Sequence, residues 1–340
     1  MTRPIASSLR CAAMTEAAEP AATIDRAAAP AAGAPLFSIF TPTYNRAHTL
    51  HRCFDSLSAQ TLHDFEWIVV DDGSTDGTEA LVAGWMTTAR FPMRYLRQER
   101  GGKHFAHNRA LEATRGKFFT CLDSDDALPP DSLAKLARAW DSIPEAERSA
   151  FCGVDGLCCD QHGRVVGDKY PRDPFDADLR ERRYVYRPRG EKWGVVLAEI
   201  ARRFPFPDVA RGKYLPEGIV WLDMAKTYKC RAVNEIVRVY YIDDAEPGVT
   251  TAIRRRLAAH AEGNWHYYVW LLNNDLEYFF SAPMTFIKAA VMLPVVGWLT
   301  RRGLGRTLPE LRSLAARSLV MAALPASSLI YLMDRLRKPT

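Results

Sequence analysis

Residues 117–128 read KFFTCLDSDDAL, a short apolar strand that runs directly into an acidic turn. Asp123, Asp125 and Asp126 lie within four residues, and carboxylates this close repel one another unless a cation lies among them. A divalent ion carried by a phosphate-bearing ligand is the natural partner of such a cluster. Taken alone, the turn also fits a helix cap or a solvated loop.

The alternation of strands and helices around this turn predicts an α/β fold. Apolar runs at residues 36–41, 66–70, 93–96 and 117–122 are predicted strands, and each is followed by apolar residues at helical spacing. Four such alternations are typical of a doubly wound, mostly parallel sheet with helices on both faces. Ligands of such sheets bind beyond the carboxyl ends of the strands, which is where the acidic turn lies.

Polar residues follow all four predicted strands. Asp72 can accept a hydrogen bond from a base or a ribose, or it can cap the following turn. Lys103 follows a flexible glycine pair and can bind a phosphate, or it can be a solvated loop lysine. The residues predicted to bind a nucleotide ligand are Thr43, Tyr44, Asn45, Asp72, Lys103, Asn108, Asp123 and Ser124.

The second half of the globular part is less regular. Residues 151–167 are predicted to form a hairpin beside the sheet, and residues 168–212 a long loop or lid. Residues 216–228 carry an apolar helical face, and residues 232–241 are predicted to close the domain as a strand.

Both ends of the chain differ from the middle. Residues 1–35 are rich in Ala and Pro and are predicted to be a disordered leader, with Met14 as an alternative start. Residues 252–340 form a predicted helical extension with 12 Lys and Arg against 5 Asp and Glu. Its apolar runs, at 289–300 and 318–333, fall short of the roughly 20 residues that a membrane span requires. This favours peripheral attachment to the cytoplasmic membrane surface, and the alternative is packing on the domain or in a dimer.

Composition narrows the class of protein. The chain has 340 residues, of which 48% are hydrophobic, and a formal net charge of +5. Metal-finger spacing and basic-aromatic single-strand motifs are absent, so no nucleic-acid partner is expected. The seven cysteines are scattered, which is typical of a reduced, cytoplasmic protein.

Four motifs in order resemble one known family. PTYN (42–45), DDGSTDGT (71–78), GGK with AHNRAL (101–111) and LDSDD (122–126) are together similar to the family 2 nucleotide-sugar glycosyltransferases of GT-A fold, over residues 36–241. The resemblance implies inverting transfer from a UDP- or GDP-linked sugar, and a Mg²⁺ or Mn²⁺ ion held through the DxD motif. That motif falls on Asp123 and Asp125, with Asp126 as a third candidate, and we assign the metal to Asp125 and Asp126.

The resemblance also divides the domain, residues 36–251, into a nucleotide-binding half (36–150) and an acceptor half (151–251). The stretch LPEGIVW (215–221) is similar to members that build bacterial surface polysaccharides, and in the family it supplies the catalytic carboxylate. An acceptor hydroxyl must lose its proton as it attacks the anomeric carbon, so a base must lie near the acceptor. Glu217 is the predicted base and Asp223 the alternative. Glu217 could instead stabilise a helix N-terminus.

The expected activity is therefore transfer of a sugar to a glycan or lipid-linked hydroxyl. Two other classes remain open. One is a non-catalytic protein that binds nucleotide sugars. The other is a sugar-1-phosphate nucleotidyltransferase, although PTYNRAH lacks the glycines expected near the first strand of that class.

Overall fold

The structure is a computed structural model that describes residues 23–26, 33–242 and 257–336. Its core is one nine-stranded mixed sheet with the strand order β1-β4-β3-β2-β5-β8-β6-β9-β7. The strands are β1 Thr23–Arg26, β2 Phe37–Thr43, β3 Phe65–Asp71, β4 Met93–Arg97, β5 Phe118–Cys121, β6 Phe151–Cys159, β7 Phe175–Ala177, β8 Lys192–Leu197 and β9 Lys229–Val239.

The helices lie between the strands and after the last one. They are α1 His51–Ser58, α2 Thr78–Thr88, α3 Lys103–Ala113, α4 Ser132–Asp141, α5 Leu179–Glu181, α6 Ala198–Ala201, α7 Gly218–Met224, α8 Ala261–Asn274, α9 Pro283–Leu299, α10 Gly303–Thr307 and α11 Leu314–Leu336. A π-helical turn, Arg182–Tyr186, follows α5.

The prediction of a mostly parallel, doubly wound sheet is confirmed. Strands β2, β3, β4 and β5 pair in parallel, and β6 and β9 run in the same direction. Because side chains alternate along a strand, β2 buries Phe37 and Ile39 on the face of α1, α2 and α4 and buries Phe40 on the face of α3. The carboxyl ends of six strands therefore meet at one edge of the sheet.

The prediction for residues 151–212 is wrong in two places. The end of β6 turns back on itself, since Val166 N–H donates to the Cys158 carbonyl and Val165 bridges to Cys159, but the rest of β6 lies between β8 and β9 instead of pairing in a hairpin. The predicted loop or lid contains β8, a central strand between β5 and β6. The stability of β8 comes from pairing with residues distant in sequence, which local composition does not reveal.

The prediction of a leader without structure is wrong for Thr23–Arg26, which pairs antiparallel with β4. Without this pairing β4 would be an edge strand with unpaired backbone groups. Residues 1–22 and 27–32 lie outside the described part of the chain.

The C-terminal helices share a hydrophobic core with the domain. Trp265 of α8 and Phe286 and Leu293 of α9 are buried in one cluster with Leu215 and Ile219, which lie at or near α7. This supports the alternative that these helices pack on the domain. The second apolar run was predicted to be too short to span a membrane, and this is wrong. The helix that contains it, α11, has 23 residues and by length and composition could cross a membrane.

Candidate active site

The site lies where strands β2 to β5 end in parallel. At its centre the Lys103 ammonium lies 2.5 Å from Asp123 Oδ1 and 2.7 Å from Glu217 Oε1. Lys103 is the first residue of α3, Asp123 follows β5, and Glu217 immediately precedes α7. The structure thus brings together three predicted site residues from both halves of the domain.

Electrostatics follow from this contact. Lys103 is the largest influence on Glu217 and lowers the pKa of its carboxyl, which burial and Asp123 oppose. Burial lowers the pKa of Lys103, but Asp123 and Glu217 outweigh burial and raise it well above its usual range. Both side chains are therefore ionised at neutral pH, although each is about two-fifths exposed.

A glycine loop places Lys103, and Asp72 holds that loop. Asp72 accepts hydrogen bonds from Gln98 Nε2 at 2.7 Å and from the backbone N–H groups of Gly101 and Gly102 at 2.8 Å. Gly102 has φ +95°, a conformation that side chains rarely adopt, and a Cβ on Gly101 would lie 2.9 Å from Phe105 Cβ.

The structure therefore gives Asp72 a different role from the predicted one. Its side chain is buried and its carboxylate already binds three donors, so it orders the loop rather than presenting itself to a base or ribose.

The acidic turn is organised by Arg238, near the end of β9, which the sequence analysis missed. Its guanidinium binds Asp126 and lies 3.1 Å from Asp123. Burial alone would raise the pKa of Asp123, but Lys103 and Arg238 outweigh it and lower the pKa to about 2. Ser124, which lies between Asp123 and Asp125 in the sequence, is buried.

Asp126 does not fit the predicted role of metal ligand. It is 1% exposed, and its oxygens bind the Arg238 guanidinium and the Tyr241 backbone N–H. Burial, with the charges of Asp123 and Asp125, raises its pKa to about 7 against the effect of Arg238. Its contacts are those of a structural residue.

Asp125 is the most exposed carboxylate of the turn. Its side chain is 37% exposed and lies 3.9 Å from Arg46, while Arg52 binds its backbone oxygen. Within residues 33–242 and 257–336, no three His, Cys, Asp or Glu side chains are arranged to hold a metal ion. Mg²⁺ is commonly held by one or two carboxylates and substrate phosphates, so Asp125 fits an ion that arrives with a diphosphate.

The loop after β2 contributes a hydroxyl and a stacked cation. Thr43 Oγ1 is buried and has no hydrogen-bond partner among the described residues. The Arg100 guanidinium lies 4.0 Å from the centre of the Tyr44 ring and donates to the Tyr44 hydroxyl. Asn45 ties this loop to the next, because its Oδ1 accepts from Thr75 N.

Two predicted residues lie away from the cluster. The Asn108 side chain donates to the Phe206 carbonyl and accepts from the Phe206 N–H, so it fixes a loop rather than presenting itself to a nucleotide. Asp223 pairs with Lys226, which also binds Asn274 at the end of α8. Neither contact places Asp223 beside Lys103 or Asp123, and the structure does not support it as the base.

Glu217 itself is not a side-chain cap. It occupies the N-cap position of α7, yet its carboxylate makes no capping hydrogen bond within the described chain and binds Lys103 instead. The helix-terminus interpretation therefore does not explain where this side chain points.

His107, one turn after Lys103, is a second unusual group. It is 4% exposed, packs against the rings of Phe119, Phe206 and Trp221, and neither ring nitrogen has a hydrogen-bond partner among the described residues. Burial, with the nearby Lys103 charge, lowers its pKa to about 4, and Glu217 opposes this.

We expect His107 to make stability depend on pH. Between about pH 6.5 and 4 the unfolded chain binds a proton at this residue that the folded chain rejects, so the free energy of unfolding falls as pH falls, by about 2 to 3 kcal/mol. His107→Phe should remove that part of the dependence, and His162→Phe, on an exposed turn, should retain it. Urea unfolding at pH 7 and pH 4 measures the free energy of unfolding of each variant. An equal change between the two pH values in wild type and His107→Phe would contradict the assignment of the pH dependence to His107.

Part of the chain is similar in sequence to known glycosyltransferases. Residues 38–147 match the model of the family described as glycosyl transferase family 2. An uncharacterized glycosyltransferase of Rickettsia prowazekii is 32% identical over 148 residues, which cover 43% of this chain and 45% of the relative. Chondroitin synthase of Pasteurella multocida is 39% identical over 100 residues, 29% of this chain and 10% of that protein. The chain thus spans less than half the length of these relatives.

The fold extends over more of the chain than the sequence match. The structure of TarS residues 1–349 from S. aureus, in complex with UDP-GlcNAc, aligns with a TM-score of 0.53 at 19% identity, covering 88% of this chain and 91% of that one. Residues 38–147 therefore match glycosyl transferase family 2 in sequence, and the sheet described above has the GT-A fold.

Proposed function

We propose that this chain is a metal-dependent inverting glycosyltransferase that moves a sugar from a UDP- or GDP-linked donor to a hydroxyl of a glycan or lipid-linked acceptor. The observation that carries the proposal is the meeting of Lys103, Asp123 and Glu217 at the ends of the parallel strands. A cation for the diphosphate and a carboxylate for the acceptor then lie at one edge of the sheet.

The donor side is built from the first half of the domain. Lys103, Arg46 and Arg100 supply positive charge around the loops after β2 and β4, and the buried Thr43 hydroxyl supplies an unused hydrogen-bonding group. These groups fit a nucleoside diphosphate. TarS, which shares the fold, was solved with UDP-GlcNAc, and this supports a UDP-linked donor.

Asp125 would hold Mg²⁺ or Mn²⁺ together with the diphosphate, since Asp126 and Asp123 are bound to Arg238 and Lys103. A bound divalent ion would neutralise the negative charge of the leaving nucleoside diphosphate. Asp123 and Ser124 would then contact the ribose of the donor.

Transfer needs a base on the opposite side from the leaving group. Glu217 is ionised, about two-fifths exposed and attached to the acceptor half, so its carboxylate can take the proton of the attacking hydroxyl. The chondroitin synthase match supports a polysaccharide acceptor, and we propose a role in synthesis of the bacterial cell surface.

Asp125→Asn tests the metal assignment. We expect metal-dependent release of nucleoside diphosphate to fall at least about tenfold, equivalent to ~1.4 kcal/mol of transition-state stabilisation, because the amide carries no charge. Asp131→Asn is the matched control, since Asp131 is an exposed aspartate at the start of α4 that pairs with Lys135. Release within tenfold of wild type, with unchanged Mn²⁺ dependence, would show that Asp125 does not hold the metal.

The C-terminal helix α11 supports peripheral attachment to the inner face of the cytoplasmic membrane. Ala316, Val320 and Ser327 are buried on one side of α11. The opposite side carries an apolar stripe at helical spacing: Leu314, Met321, Leu329, Leu332 and Leu336, all exposed. Exposed arginines flank the helix at Arg306, Arg312 and Arg335. An apolar stripe bordered by arginines fits an anionic lipid surface.

We expect the triple variant with serine at Leu329, Leu332 and Leu336 to bind vesicles that contain anionic lipid at least about tenfold more weakly. The reason is that the variant has less apolar surface to transfer from water into the lipid. Phe280→Ser with Met284→Ser is the control, since those side chains are 93% and 71% exposed outside the stripe. Sedimentation with vesicles measures the partition coefficient. An unchanged coefficient would exclude the stripe as the attachment surface.

A further inference from the structure

One ammonium group contacts two carboxylates in the cleft. Lys103 Nζ lies within hydrogen-bond distance of Asp123 and Glu217, which come from the two halves of the domain. The three side chains are between 31% and 40% exposed, so a ligand in the cleft can reach all of them.

An incoming diphosphate would compete for this ammonium. It carries more negative charge than one carboxylate, and Lys103 stands at the glycine loop where the phosphates of the proposed donor would lie. Asp123 keeps a second cation, Arg238, when Lys103 turns away. Among the described residues only Lys103 forms an ion pair with Glu217, so the exchange leaves the Glu217 carboxylate without a paired cation.

We propose that Lys103 is a positioning residue that holds Glu217 in an ion pair until the donor's diphosphate takes the ammonium, and so frees Glu217 to act as base only when donor is bound. This rests on the proposed function. It couples the two halves of the domain through one side chain.

The exchange changes what Glu217 can do. Paired with Lys103, its carboxylate has a lowered proton affinity. Once released, it accepts the proton of the acceptor hydroxyl as the hydroxyl oxygen bonds to the anomeric carbon and the bond from that carbon to the diphosphate oxygen breaks. The nucleoside diphosphate leaves with the electron pair, and Glu217 later returns the proton to water.

Several other charged or titratable groups surround Glu217 and must be considered. Asp123 and Cys121 come from β5 and its exit, His107 from α3 and Tyr214 from the loop before α7. Arg183 and Tyr267 lie against the adjacent Gly218. Lys103 has a larger influence on Glu217 than any of these groups, so the test removes the Lys103 charge.

The test is the pKa of the Glu217 carboxyl, measured by ¹³C NMR in protein labelled at glutamate, with the signal assigned through Glu217→Gln. In wild type we expect UDP with Mg²⁺, or GDP with Mg²⁺, to raise this pKa by about one unit or more. In Lys103→Met the pKa should already be high in the ligand-free protein and should respond little to the nucleotide. Lys229 is an exposed lysine at the start of β9, and the control variant Lys229→Met should behave as wild type.

Two outcomes would overturn the proposal. One is a Glu217 pKa that does not rise in wild type when either nucleotide is present. The other is a Glu217 pKa that rises equally in Lys103→Met, which would assign the effect to a group other than Lys103. Absence of sugar transfer would count against the proposed function instead, because the NMR measurement needs only nucleotide binding.

Discussion

Glu217→Gln is expected to lower the rate of sugar transfer by about 10²- to 10⁴-fold without weakening donor affinity. Glutamine keeps the shape and the hydrogen-bonding reach of the side chain but cannot take a proton. The donor pocket is built from the strand-end loops of the first half, so it should not sense the change except through Lys103. Transfer is measured under saturating donor and acceptor, and donor affinity by calorimetry with UDP or GDP.

Asp223→Asn is the matched control, because it removes a carboxylate from α7, the helix that Glu217 precedes. Asp223 pairs with Lys226, and exposed pairs of this kind contribute little. The substitution should therefore change the rate of transfer by less than about threefold. Survival of transfer in Glu217→Gln with collapse in Asp223→Asn would make Asp223 the base. Collapse of donor binding along with transfer in Glu217→Gln would make Glu217 a structural residue.

Arg238→Met is expected to destabilise the fold by about 3 to 5 kcal/mol, because it leaves the buried Asp126 carboxylate without its cation. Asp126 is nearly inaccessible, and burial already raises its pKa to about 7. Without Arg238 the pKa should rise further. The destabilisation should therefore be larger at pH 8, where Asp126 ionises freely in the unfolded chain but only at a cost in the folded variant, than at pH 5, where the folded carboxyl is protonated with or without Arg238.

Urea unfolding at both pH values measures this cost. Arg306→Met removes an exposed arginine and should change the free energy of unfolding by no more than about 0.5 kcal/mol. Asp126→Asn added to Arg238→Met should recover part of the loss, since the buried charge is then absent. A cost that is the same at pH 5 and pH 8 would mean that the ionised Asp126 is not its source.

The local part of the fold was predictable from the sequence. Each of the strands β2 to β5 is a short apolar run, and the helix after it shows apolar residues at helical spacing, so the alternation is visible without knowledge of long-range contacts. The same reasoning places Lys103 and Asp123 at one edge, because parallel strands end together. Their contact in the structure follows from that geometry.

The predictions that failed concern residues whose roles depend on contacts distant in sequence. Arg238 reaches Asp126 across more than a hundred residues, and no local pattern distinguishes it from the other arginines. Asp72 and Asn108 sit in the expected places, yet the protein uses them to hold the glycine loop and Phe206. A motif fixes where a polar side chain lies, but only the packed structure shows whether its hydrogen-bonding groups are already occupied.

The most direct test of the central claim is release of nucleoside diphosphate from UDP- and GDP-linked sugars by the wild-type protein with Mn²⁺ or Mg²⁺ and candidate glycan acceptors. The account predicts metal-dependent release from at least one donor, increased by acceptor and reduced by at least about a hundredfold in Glu217→Gln. Tight binding of a nucleotide sugar without release under any of these conditions would contradict it and would identify a binding protein that keeps the pocket without the chemistry.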